Sequence, residues 1–447
     1  MQNSPDRLRR RHSLRIANID ASLATGFGTL LGGTFIIGFI KSAIPPARSD
    51  YWIGLFSALP SLWGIFLIPG AVIARQFPTY KPYQRLCGIV WRAMHMPWII
   101  MPFLIGIAAE VRFTIMLTCS SIGNIFSNLG GATYNDWLST LAEPSSRGFY
   151  FTRRTAILTL AGSVVAVGGA VLLDQFHRLQ DDALGFGLTF GIAGVLAWVS
   201  FFYFDKMLDI ARDTVVKANL REAVVQTARP ARDRAFQPVL VFAFISIFGQ
   251  SFASSFYSAF ALESLKMPYT LINIFALVQG FTQLLTSGFW GRLMDRFGTR
   301  PIAILSGIGI ISAPALWLAA IPGNQVFNAT LIIVASIWSG FVWSGALPAN
   351  LNILIVTAPE QDRGPYLGAG ATVQAIAGAI APLASAMMLT SLRVPLGAVG
   401  AYKGIIAVGM GLRLIAVFFL VPVREPGATS LRATVRSLWR SVSGQES

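Results

Sequence analysis

The side chains of this sequence that could do chemistry are sparse, and most of them are neutral. Three histidines, His12, His95 and His177, lie far apart, and two cysteines, Cys87 and Cys119, are too few for a disulfide framework. No H-E-x-x-H, G-x-S-x-G or phosphate-loop spacing occurs, and the GFGTLLGG stretch from Gly26 lies inside an apolar run. Hydrolytic, metal and nucleotide chemistry therefore lack their residues, and neither metal nor cofactor is expected. What remains is a set of amides, hydroxyls and indoles: Thr25, Thr29 and Thr34; Asn124 and Asn128; Gln250, Ser254 and Ser258; Gln279 and Gln283; Trp338 and Trp343; and Gln374. Several pairs are four apart, which puts them on one face of a helix. Such stripes could line a cavity for a small neutral or amphipathic organic solute. They suit a sugar phosphate or a metal ion poorly.

The elements that must carry these stripes are membrane helices. The 447-residue chain is 54% hydrophobic and only 12% charged, about half the charge of a soluble protein. Long runs of low charge fall near 19–40, 51–73, 93–109, 113–134, 155–173, 183–204, 235–262, 267–290, 301–321, 327–350, 364–391 and 404–423. Most approach the roughly 20 residues that cross a hydrocarbon core as a helix. Continuous apolar runs exclude the alternating pattern of barrel strands. The fold class expected is an all-α integral membrane protein with twelve transmembrane helices.

Charge orients them. The loops on one side, with both ends of the chain, hold 27 Lys and Arg, and those on the other side hold 7. The positive-inside rule then places both termini in the cytoplasm, with a plasma or bacterial inner membrane as the expected location. The net charge of +15 is thereby explained without nucleic acid. Lipid and a small-molecule substrate are the expected partners, and the chain is expected to be a monomer.

On this map Asp20 and Asp136 lie near cytoplasmic helix ends, while Glu110 and Glu263 lie near outer ends. No carboxylate falls at mid-span, so Asp20 and Asp136 are the candidates for proton coupling. Arg413 is the one deep charge: a place in helix packing or snorkelling is the expectation, and a place in the cavity, which would make an anionic substrate attractive, is the alternative.

Two motifs recur half a chain apart. RGFYFTRRTAILTLAG from Arg147 and RGPYLGAGATVQAIAG from Arg363 share Arg147/Arg363, Gly148/Gly364 and Tyr150/Tyr366. GAVIARQFPTY from Gly70 parallels GRLMDRFGTRP from Gly291, though Ala74 stands where the second copy has Asp295. The expected organisation is a basic flank at 1–18, a six-helix half at 19–204, a cytoplasmic linker at 205–237, a second half at 238–423 and a basic tail at 424–447.

GRLMDRFGTRP, between two charge-free runs, resembles the cytoplasmic signature loop of the major facilitator superfamily. The resemblance implies two pseudo-symmetric six-helix halves that rock about a central site. It also implies a cytoplasmic gate: Gly291 and Gly298 for a tight turn, and Asp295 facing the start of the fifth helix while that side is shut. Arg296, Arg300, Arg147, Arg153 and Arg363 complete that gate, and the neighbouring Arg154 is a further cation there. Helices 1, 4, 7 and 10 would line the cavity. The function implied is a secondary transporter, not an enzyme. A transporter-like fold serving as a sensor or membrane assembly factor is the alternative.

Overall fold

The computed structural model describes residues 5–143, 147–212, 220–359, 361, 363–423, 425 and 428–442. Among them, nine helices are long and apolar enough to cross a bilayer. One of the nine, Arg363–Phe418, is two passes. Its 56 residues would reach about 84 Å if straight. Instead a Cβ on Gly404 would lie 2.9 Å from Leu392, and Arg393 Nη2 reaches Tyr402 Oη at 3.1 Å. The chain therefore doubles back, and it does so at Gly397, whose φ of 66° favours glycine. Two less apolar passes complete twelve.

The third pass differs from its expected bounds. The apolar run 93–109 is not its helix; the helix is Lys81–Ala93, followed by the 3₁₀ turns Met96–Ile99 and Met101–Phe103. Pro97 and Pro102 explain this, because proline lacks the amide an α-helix needs. Arg85 and Arg92, assigned to a loop by the sequence, consequently lie on this helix. The fourth pass, Ala109–Leu141, carries the Asn124 and Asn128 stripe.

The other passes follow the apolar runs. Pro5–Leu31 and Gly33–Ala43 form the first, and Pro46–Leu62 with Leu67–Ala74 the second. Arg147–Arg178 and Asp182–Asp205 close the first half. Gln237–Glu263, Tyr269–Phe297, Thr299–Leu318 and Gln325–Thr357 open the second. Leu220–Ala228 is a short helix in the linker, and Leu431–Val442 a helix in the tail.

The tyrosines of the recurring motifs make equivalent bonds. Tyr150 donates its hydroxyl to Asn18 at 3.2 Å, and Tyr366 donates to Asp233 at 2.7 Å. Asp233 precedes the first helix of the second half, whereas Asn18 lies inside the first helix of the chain. The Tyr366 hydroxyl, with the Ala235 amide, holds the Asp233 carboxyl below its ordinary range. Asn328, which heads an Asn-Ala-Thr tripeptide, is fully buried and pairs twice with the Ile321 backbone. Its amide is structural.

The core is shared at one end and divided at the other. Phe27, Phe39 and Phe113 of the first half join Phe256, Phe260 and Ile405 of the second in one apolar cluster. At the opposite end each half has its own: Ile16, Trp137 and Phe204 in the first, Phe236, Ile353 and Leu420 in the second. The halves thus share a core at the end that carries Arg393, and they also touch further along, where a Cβ on Gly378 would lie 2.4 Å from Ser61.

Candidate functional site

Two connected cavities lie at the centre. The first, about 400 Å³, is lined by both halves: Phe27, His95 and Asn124 from one, Ser254, Ser255 and Ser258 from the other. Thr34 and Ser258 meet between the halves at 3.4 Å. The second, about 450 Å³, lies within the second half and shares Ser254 and Ser258 with the first. Gln250, Gln279 and Trp343 line it, and so does Arg413.

The sequence-derived cavity set is therefore split. Asn124, Gln250, Ser254 and Gln279 come together. Thr29 instead packs where a Cβ on Gly162 would meet it at 3.4 Å. Asn128 turns its amide to the Asn124 carbonyl at 2.9 Å. Gln283 and Gln374 are half-buried and line neither cavity. Trp338 is exposed, with its indole on Ser312 at 2.7 Å. Five residues separate it from Trp343, which at 3.6 per turn puts the two indoles on different faces.

Arg413 packs against another helix, one of its two expected places, and does not snorkel. It is 9% exposed and donates Nε to the Gly249 carbonyl at 3.3 Å. Gly249 lies about 18–21 Å from either end of Gln237–Glu263 at 1.5 Å per residue, too far for a side chain to snorkel. Helix 12 is thus a cavity wall here.

A second buried arginine, missed by sequence reading, organises the first half. Asp20, 4% exposed, accepts from Arg92 at 3.3 Å, Ser200 at 2.7 Å and Tyr134 at 2.8 Å. Arg92 also donates to Ser200 at 2.6 Å and to the Ala197 carbonyl at 2.8 Å. Asp20 sits about four turns inside the first helix, not at its start, because the helix begins in the basic flank at Pro5. Together with Arg154 the group lines a cavity of about 400 Å³. Arg92 was legible as a lone charge flanked by apolar residues; its partners were not. Asp136 is exposed at the end of the fourth helix, where Tyr80 donates to it at 2.9 Å, outside these cavities.

At the Arg393 end, charges from both halves interlock. Arg393 grips Asp50 at 2.5 and 2.9 Å and Glu263 at 2.6 and 2.9 Å, one fork on each. Lys41 pairs with Glu263 and lies 3.6 Å from Asp50. Tyr402 donates to Glu263 at 2.7 Å. Asp50 is fully buried, so these are charge-assisted bonds in a low dielectric. Nearby, Asp174 of the first half accepts from the Tyr269 and Thr270 amides, both at 2.8 Å, and so caps a helix of the second.

Comparison with known proteins agrees with this architecture. The family model described as Major Facilitator Superfamily matches residues 239–446. The fold extends over nearly the whole chain. A D-xylose-proton symporter superposes with TM-score 0.69 at 15% identity, covering 93% of this chain and 99% of its own. A bacterial homologue of the human lysosomal transporter Spinster, in an inward-facing and unoccupied conformation, gives 0.61 at 15% identity, covering 97% and 98%. A nucleoside transporter gives 0.64 at 12% identity, covering 93% and 100%. Residues 239–446 thus match the major facilitator superfamily, and nearly the whole chain has the fold of these transporters. No curated protein matches its sequence.

The GRLMDRFGTRP segment spans the end of one helix and the start of the next. The turn is made by Gly298, with φ of 93°, whereas Gly291 lies within the eighth helix with open space beside it. Asp295 is exposed and makes no bond to a described residue. Arg147 and Arg153 are exposed, and Arg154 is turned to the Ala17 carbonyl and Asn18 at 3.0 and 3.2 Å. Arg296 and Arg363 have partners of their own. Arg300 departs from a gating place: it donates to the Leu420 and Val421 carbonyls at 3.1 and 2.5 Å. Its amide and that of Thr299 bind the Glu425 carboxylate at 2.6 and 3.0 Å. The loop thus docks on the tail of its own half. Gly298→Ala is expected to destabilise this junction by about 1–3 kcal/mol, through its positive φ and a contact of 2.7 Å with Ala428. A melting temperature equal to wild type would refute that.

Proposed function

We propose that the chain is a secondary transporter that moves a small organic solute by alternating access, with both termini and the signature loop in the cytoplasm. The observation that carries this reading is the unequal joining of the halves. They share one core and an interlocked ion cluster at the Arg393 end, but keep separate cores at the other. This is the arrangement expected of a cytoplasm-facing state, with the solute reaching the cavity between Asn124 and Ser254 from inside. Asp295, without a partner in this state, would engage the start of the fifth helix and its arginines when the cytoplasmic side shuts. Both clusters would alternate. One is closed here, and the other waits.

The test is flux in proteoliposomes across a metabolite and drug panel, with and without a pH gradient, for wild type and Asp295→Asn. Asp295→Asn should leave heat stability unchanged and slow transport about 2- to 30-fold, the worth of a carboxylate at a helix amino terminus. Wild-type rates in the variant would remove Asp295 from the gate. No flux of any solute would count against transport itself and favour a sensor or assembly role.

A further inference from the structure

We propose that the cavity of the second half binds the carboxylate of an aromatic or branched organic acid on the Arg413 guanidinium. This rests on the transport reading above and names its substrate class. Charge balance is the argument. The described residues bury three arginines beside cavities: Arg92 and Arg154 share one with Asp20, Arg154 being turned to the Ala17 carbonyl and Asn18, and Arg413 lines another. Arg92 has Asp20 at 3.3 Å. Among the described residues Arg413 has no carboxylate within ion-pair distance, only the Gly249 carbonyl.

The sequence explains why none could reach it. Between Gln237 and Val423 the acids are Glu263, Asp295, Glu360 and Asp362. Glu263 is held by Lys41, Arg393 and Tyr402. Asp295 is exposed near a helix end, and Glu360 and Asp362 precede the helix that starts at Arg363. A buried charge without a counter-ion is costly, so a chain that keeps one at mid-helix needs an anion to offset it. A guanidinium fork fits a carboxylate in particular.

The surroundings define the rest of the ligand. The buried Tyr257 hydroxyl lies beside the Arg413 guanidinium, and its hydrogen is free to give a second bond to the same carboxylate. Gln250 adds an amide to this wall. The facing wall is Phe275, Trp317 and Trp343, which asks for an apolar, preferably planar, body. Ser254 and Ser258 connect the site to the cavity between the halves, so an acid bound here lies on the route of transport.

The experiment compares acids with their neutral amides on the purified full-length chain. Phenylacetate and indole-3-acetate should raise the melting temperature by roughly 2–5 °C at saturation, and phenylacetamide and indole-3-acetamide should not. Arg413→Gln should weaken the apparent affinity for the acids about 10- to 100-fold, and Tyr257→Phe less. Should Arg413→Gln fail to fold, Arg413→Lys keeps the charge without the fork, and the acid–amide contrast in wild type needs no variant. Equal stabilisation by acid and amide, or by neither, overturns the assignment. So does full acid affinity in Arg413→Gln. Counterflow of a neutral solute with no response to the acids would overturn it while leaving the transport reading intact. Absence of all flux together with acid binding would instead strike the transport reading alone.

Discussion

Arg393→Ala is expected to open the end of the molecule that is now closed. The guanidinium makes both sides of its fork count, on Asp50 from the first half and on Glu263 from the second. Asp50 is fully buried and Arg393 nearly so. Removing one partner of a buried pair costs about 3–5 kcal/mol, chiefly because the partners left behind stay desolvated. Here two carboxylates would be left with Lys41 alone, so their mutual repulsion adds to the loss. Opening that end hydrates both. A penalty of this size changes the ratio of the two states by a factor of about 10²–10⁴. Spin labels on cysteines introduced at Tyr51 and Val326, both exposed and on different halves, report the outcome with Cys87 and Cys119 replaced. The distance between them should lengthen in Arg393→Ala. Arg393→Lys should fall between, since it keeps the charge but loses the fork. An unchanged distance distribution would mean that the shared apolar core alone holds this end.

Asp20→Asn is the second large effect expected. Asparagine keeps the shape and one acceptor oxygen for either Ser200 or Tyr134, which donate to different oxygens of Asp20, but it leaves Arg92 without its counter-ion. If Asp20 carries the coupled proton, the variant is locked in a neutral form. Gradient-driven accumulation should then fall at least about tenfold, while solute exchange without a gradient changes little, because exchange needs no proton turnover. A merely structural Asp20 would lower both together, by the loss of folded protein. Equal accumulation in wild type and variant would remove Asp20 from coupling. Asp136, exposed and bonded to Tyr80, would be the weaker candidate in that event.

The two arginines Arg92 and Arg413 show how far sequence reading reaches. Both were visible as lone charges among apolar residues, and both were assigned modest places, a loop position for one and helix packing for the other. Their difference lies in what faces them. Asp20 is 72 residues from Arg92, and Ser200 is 108 away. No local pattern links such positions. The broken third pass has a local cause, Pro97 and Pro102, but hydropathy averaged over a window does not register it.

By itself, the sequence determined the passage through lipid, the paired motifs, the skew of basic loops and the all-α fold class. These follow from hydrophobicity, charge and turn residues, which act over about 20 residues and need no knowledge of what lies opposite. Only the tertiary structure decided which stripes meet. It joined Asp50 to Arg393 across 343 residues, turned Trp343 inward and Trp338 outward, and left Asp295 without a partner. The physical reason is that a side chain's charge is set by its type, whereas its energy is set by its neighbours. In a bundle of long helices, those neighbours are chosen by rotation about each axis.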